Sequence, residues 1–196
     1  MWSRVTPLRF VFILFPFCLV ASPARAVSVT EVTFAQLVAQ SEVIAVGTVT
    51  DIREEWNETQ RAAFTLVTFA DLTVIKGNPG ESMTLEFLGG HTPEGLIMTI
   101  PGVPQFSVGE KAVVFCAGNK RDFCPLVGIW QGVLRVARNP QSGEETVSDN
   151  FRIPIVDIQG GKFVKLVPGK ADQRPLSLSD LIQAVEQELR SSAAQS

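Results

Sequence analysis

Short runs of β-branched and aromatic residues, separated by turn-forming residues, restrict the fold of this 196-residue chain more than any other feature. Val43–Val49 is long enough and β-branched enough for a core strand. Met83–Phe87 alternates apolar and polar residues, as a half-buried strand does. The turn sequence Lys76–Gly80 stands between such runs. Many short strands of this kind are typical of an antiparallel barrel or sandwich.

The remaining strands follow from the same reasoning. Residues 62–75 predict one long strand, and their apolar residues do not keep to one face, which indicates a bulge or strong coiling. The polar residues 51–60 before it predict a loop. Residues 133–137 predict a further strand, and residues 151–156 and 163–167 predict the arms of a hairpin.

One helix is predicted near each end of the domain. Thr33 and Gln36 form a capping-box pattern, which predicts a short helix over residues 34–41. Behind Ser177, apolar residues recur at helical spacing and predict a C-terminal amphipathic helix: Leu178, Leu181, Ile182, Val185 and Leu189. We therefore expect a mainly β fold, a small antiparallel barrel of OB type with these two helices; a β-sandwich is the alternative.

The first 26 residues have the features of a secretory signal peptide. Arg4 and Arg9 precede an apolar run from Phe10 to Ala21, and small residues follow it. We expect cleavage between Ala26 and Val27. The apolar run is shorter than the roughly 20 residues that cross a bilayer.

Removal of residues 1–26 would leave 170 residues, enough for a single β-rich domain over residues 27–190 with a frayed tail over residues 191–196. It would also leave 14 basic residues against 20 acidic ones. An acidic protein is poorly suited to binding nucleic acid, which requires a basic surface. We expect a periplasmic or secreted protein with no nucleic-acid partner and no membrane span after signal removal.

Two cysteines remain after residue 26, Cys116 and Cys124. They flank a polar segment between two apolar runs, residues 112–115 and 126–129, which predicts a hairpin. Because an exported protein meets an oxidising environment, we expect a disulfide across this hairpin. The pair lacks the Cys-x-x-Cys spacing of a redox site.

Part of this pattern resembles known secreted modules. Ser41–Val49, a polar loop, a long strand and Val74–Gly77 resemble the first strands of netrin-type modules and of tissue inhibitors of metalloproteinases. The chain is also similar to a group of bacterial exported proteins, through Pro104–Glu110 and Gln131–Gly132. The resemblance implies an OB fold that binds proteins. The inhibitors start with Cys-x-Cys, whereas the expected start here is Val27–Val29, so their mode of inhibition is not implied.

The residues favour few catalytic chemistries. His91 is the only histidine, so one chain cannot form a site that needs two imidazoles, and we expect no metal and no cofactor. A Ser-His-Asp triad through His91 is conceivable, although the chain has no Gly-x-Ser-x-Gly elbow. P-loop and dinucleotide-binding motifs are also absent from the sequence.

A long segment rich in Gly and Pro, Gly89–Gly109, is the predicted functional element, because ordered long loops in compact domains often bind ligands. Its apolar residues Leu96–Ile100 form either a contact surface or one more buried strand. Trp56, in the predicted polar loop, is a second contact candidate. The candidate partner-binding residues are Trp56, His91, Leu96, Met98 and Phe106.

These features predict an exported, non-enzymatic binding module for a protein partner, and an extracytoplasmic protease is one candidate. Two alternatives stay open: an exported hydrolase that uses His91, and a passive structural protein of the envelope or matrix.

Overall fold

The computed structural model describes residues 30–170 and 172–194. The predicted signal peptide and its cleavage site between Ala26 and Val27 lie outside these residues, as do residues 195–196 of the predicted tail. Of the predicted tail, residues 191–193 continue the C-terminal helix.

The described residues form a mainly β fold with one helix near each end, as predicted. The helices are α1 (Phe34–Gln40) and α2 (Leu178–Ala193), and the strands are β1 (Val43–Asn57), β2 (Ala62–Lys76), β3 (Met83–Leu88), β4 (Gly90–His91), β5 (Ile97–Met98), β6 (Lys111–Cys116), β7 (Val133–Arg138), β8 (Glu145–Ser148), β9 (Ile155–Gln159) and β10 (Lys162–Lys165). A single turn of 3₁₀ helix spans Ile129–Gly132.

Six strands form one antiparallel sheet in the order β3-β2-β1-β6-β7-β8, and β4-β5 and β9-β10 form two separate hairpins. Since β3 and β8 end this order, the chain between β3 and β6 must cross β2 and β1. That crossing places residues 89–110, called the crossing segment below, over the sheet. Closure into a barrel is not seen among the described strands, so the OB-type topology stays a prediction.

The sheet is buried on both faces. Val113 and Phe115 of β6 belong to one core cluster, which α1 and α2 cover, whereas Ala112 and Val114 belong to a second cluster. This division follows from the two-residue period of a strand. The second cluster includes β2 and β3 residues, and Phe106 of the crossing segment packs against it.

Both helices begin at the residues that the sequence indicated. The Thr33 hydroxyl accepts a hydrogen bond from the Gln36 backbone N–H, and the Gln36 side chain accepts one from Thr33, so the capping box is complete. The Ser177 hydroxyl caps α2 by accepting a hydrogen bond from the Asp180 backbone N–H. Neither helix within the described ranges has the length and apolar character needed to cross a membrane.

The largest difference from expectation is the segment 51–60, predicted as a loop. Residues 51–57 instead extend β1, and each pairs with β2 in register down to Asn57↔Ala62. The prediction failed because cross-strand pairing outweighs the low strand propensity of the charged residues. The bulge expected for the long strand is confirmed as three register shifts between β1 and β2.

The predicted C-terminal hairpin forms, but its first arm is β9, Ile155–Gln159, rather than residues 151–156. Gly160 and Gly161 close it, both with positive φ. The second arm predicted for the cysteine hairpin, residues 126–129, is reduced to one bridge between Cys116 and Leu126 followed by the 3₁₀ turn.

Candidate functional site

The crossing segment and the sheet beneath it enclose a cleft of about 350 Å³. The chain must reach β6 from β3, and Gly- and Pro-rich sequence lets it turn repeatedly on the way. Three of the five predicted partner-binding residues line this cleft: His91, Met98 and Phe106. Side chains of the sheet that line it include Ile52, Glu54, Thr65, Val67 and Phe87.

His91 is held against β1 by Glu54. His91 Nδ1 lies 2.6 Å from Glu54 Oε2, and the His91 backbone N–H donates to the same oxygen at 3.2 Å. These hydrogen bonds hold the pKa of the Glu54 carboxyl below its ordinary value. The pair therefore fastens β4 to the outer end of β1, although both side chains remain open to solvent.

β4 and β5 form a short hairpin with an apolar tip. The Thr92 N–H donates to the Leu96 carbonyl at 2.8 Å, and the Gly95 N–H donates back to Thr92 at 2.9 Å, so the turn is ordered. Leu96 and Ile97 are 67% and 68% exposed, whereas Met98 is half-buried beside the cleft. Of the two interpretations of Leu96–Ile100, the buried strand is not observed, because Leu96 and Ile97 are exposed.

Phe106 anchors the far end of the crossing segment to the core. Its ring contacts Phe69 edge-on at a centroid distance of 5.4 Å and Phe87 at 5.5 Å. The guanidinium carbon of Arg135 lies 4.5 Å from the centre of the same ring. Phe106 is half-buried, so its main contribution is to position the segment.

Arg135 supports the candidate site from behind Phe106, and the sequence analysis did not name it. It is only 5% exposed, and its Nη2 donates to the Gln105 carbonyl at 2.9 Å and to Asn150 Oδ1 at 2.6 Å. Its Nη1 lies 2.9 Å from Glu110 Oε2. Burial lowers the pKa of Arg135, and the Glu110 carboxylate opposes that effect. An arginine inside the apolar run of β7 was the only signal in the sequence.

Trp56 lies outside the cleft lining, near the end of β1. It shares a face of the strand with Ile52 and Glu54, because successive side chains alternate, and it is half-buried. Of the predicted residues, His91, Met98 and Phe106 thus lie together at the cleft. Leu96 lies at the adjacent hairpin tip, and Trp56 lies near the end of β1.

The predicted disulfide is not present. Among the described residues Cys116 and Cys124 are free, and both are buried in the second core cluster. The residue bridged to Cys116 across the predicted hairpin is Leu126 rather than Cys124. Burial raises the pKa of both thiols, that of Cys124 to about 11.

A second cleft of about 250 Å³ lies between α1 and β10, on the side of the first core cluster. Its lysines are already paired: Lys165 with Asp149 at 2.7 Å, and Lys162 with Glu31. This cleft contains none of the predicted site residues. Over residues 30–170 and 172–194, no three His, Cys, Asp or Glu side chains cluster as metal ligands would.

Comparisons with protein-family models, with curated proteins and with solved structures found no match to this chain.

Proposed function

We propose that this chain is an exported, non-enzymatic module that binds a protein partner through the β4–β5 hairpin tip and the adjoining cleft. The observation that carries the proposal is the exposure of Leu96 and Ile97 on an ordered hairpin. Large apolar side chains held together at the surface are favourable when a partner covers them.

Several contacts support a preformed binding surface. The Glu54–His91 hydrogen bonds hold the base of the hairpin. The contacts of Phe106 with the core and with Arg135 hold the far end of the segment. A surface fixed before binding loses less conformational entropy when the partner docks. The resemblance to secreted OB modules that bind proteins is in keeping with this function.

The His91–Glu54 pair favours the second candidate, an exported hydrolase, because a carboxylate that orients an imidazole is part of a catalytic triad. The side chains that line the cleft include two threonines but neither serine nor cysteine. A Ser-His-Asp triad is therefore not assembled in this cleft. Loss of a measured hydrolytic activity in His91→Ala would favour the hydrolase over the binding module.

Affinity capture tests the proposal. The mature protein is used to capture partners from the extracytoplasmic fraction of the source organism, with identification by mass spectrometry. The same capture uses the double variant Leu96→Asp, Ile97→Asp, and the control Phe151→Asp, whose side chain is 64% exposed and lines the second cleft rather than the one beside the hairpin. We expect one protein, with an exported protease as one candidate class, that wild type and control retain and the double variant loses. Equal capture by all three contradicts the proposal.

A further inference from the structure

The outer half of β1 has one unpaired edge. β2 pairs with β1 as far as Asn57, but β6 pairs only with Val43–Thr48. Val49 makes the last bonds on that side: its N–H donates to Glu110 at 2.8 Å and its carbonyl accepts from Gly109 at 2.7 Å. On this side, residues 51–57 therefore form a strand edge with which no other described strand pairs.

The register shows which backbone groups lie on this edge. The Ala63 carbonyl accepts a hydrogen bond from the Gly89 N–H at 2.8 Å, so Ala63 points towards the β3 side, away from β1. Trp56 is directly opposite Ala63. Opposed residues of an antiparallel pair point either towards or away from each other together, so Trp56 directs its N–H and carbonyl to the free edge. By the two-residue period Ile52 and Glu54 do the same.

We propose that this edge pairs antiparallel with the same edge of a second copy of the chain, across a two-fold axis at Glu54. Two-fold symmetry requires one residue to lie opposite its own copy. With Glu54 at the axis, Ile52 lies opposite Trp56 of the second copy and Arg53 lies opposite Glu55. Ile52, Glu54 and Trp56 then supply six hydrogen bonds between the two chains.

Charge selects this register. Centring on Arg53 would place Arg53 opposite itself and Asp51 opposite Glu55, and centring on Glu55 would oppose two glutamates. Centring on Glu54 gives two opposite-charge pairs. The single like-charged pair, Glu54 with its copy, is relieved because each Glu54 is hydrogen-bonded to its own His91. Charges usually prevent pairing at an edge strand, but here they complement a second copy.

Charge exchange tests the dimer. Protein purified after expression of the full chain is studied by sedimentation equilibrium, with circular dichroism to verify folding. We expect a wild-type dimer that Arg53→Glu or Glu55→Arg each weakens by about tenfold, because each change creates two like-charge pairs. The double variant Arg53→Glu, Glu55→Arg restores both pairs and therefore the dimer.

Arg61→Glu and Glu58→Arg are the matched controls, since they make the same charge changes in the turn beyond the strands. We expect both to dimerise as wild type does. A monomeric wild type overturns the proposal. Single variants that dimerise normally, or a double variant that stays as weak as the single ones, also overturn it. The proposal does not depend on the binding function proposed above, because it rests on backbone pairing at the edge of β1, although the Ile52 and Glu54 side chains also line the cleft.

Discussion

At the scale of single residues, Arg135 links the crossing segment to the sheet. Its buried guanidinium contacts the Phe106 ring, the Gln105 carbonyl and the Glu110 carboxylate, so one side chain of β7 fixes both ends of residues 105–110. A buried charge is tolerated only when it is paired, and loss of one partner leaves the other uncompensated.

We expect Arg135→Met to lower the free energy of unfolding by roughly 3 kcal/mol, because the largely buried Glu110 carboxylate loses its buried cation and keeps only the exposed Arg152 and the Ser107 backbone N–H. Urea denaturation measures this change. Arg190→Met is the control, since its ion pair with Glu186 is exposed and contributes about 0–1 kcal/mol. Equal stabilities for the two variants would show that Arg135 is not an anchor.

The cysteines give a second prediction at this scale. Because burial raises the pKa of Cys124 to about 11 and raises that of Cys116 as well, we expect both thiols of the native protein to react with a disulfide reagent at pH 8 roughly a hundredfold more slowly than after unfolding in urea. After unfolding, both thiols should react with the reagent without added reductant. Failure of these two thiols to titrate in the unfolded protein would show that they form the disulfide after all.

At the scale of elements, the β4–β5 hairpin is too short to be stable alone, and its position depends on the outer half of β1. Gly90 lies so close to Glu54 that an added Cβ would be 3.3 Å from the carboxyl carbon. Glycine at this position, with φ of +138°, allows the hairpin to approach the strand.

The hydrogen bonds of Glu54 make this attachment sensitive to acid. The Glu54 carboxyl has a lowered pKa in the folded protein. Its contribution to the stability of the fold is therefore complete above the ordinary pKa near 4 and is lost as the pH falls through the lower pKa of the folded state. We expect the His91 amide resonance in NMR spectra to titrate with a midpoint below about 4. The Gly89 amide, which donates to the Ala63 carbonyl, is the control. A His91 amide that does not titrate with Glu54 would contradict this attachment.

At the scale of the whole molecule, the sequence predicts most local structure and little of the site. Caps and apolar periodicity determine where α1 and α2 begin, and alternation identifies β3, because these signals are local. The extension of β1 to Asn57 was not predictable, since its charged residues are held by pairing with β2. Nor was the position of Arg135, because it depends on a contact between β7 and a segment about thirty residues earlier.

The sequence analysis singled out the crossing segment, and three of the candidate residues that it named, His91, Met98 and Phe106, come together at one cleft. It could not separate their roles. Phe106 packs against the core, and His91 attaches the hairpin to β1 through Glu54. Leu96 and Ile97 form the exposed tip of the hairpin. These differences arise from burial, which only the packed structure determines.

The affinity of a captured partner tests the central claim most directly. Its dissociation constant is measured for wild type, for Leu96→Asp with Ile97→Asp, and for Phe151→Asp. Because two carboxylates would be placed where apolar side chains contact the partner, we expect the double variant to bind at least about a hundredfold more weakly. The Phe151→Asp control should bind as wild type does. A double variant with unchanged affinity would show that the hairpin tip is not the binding surface.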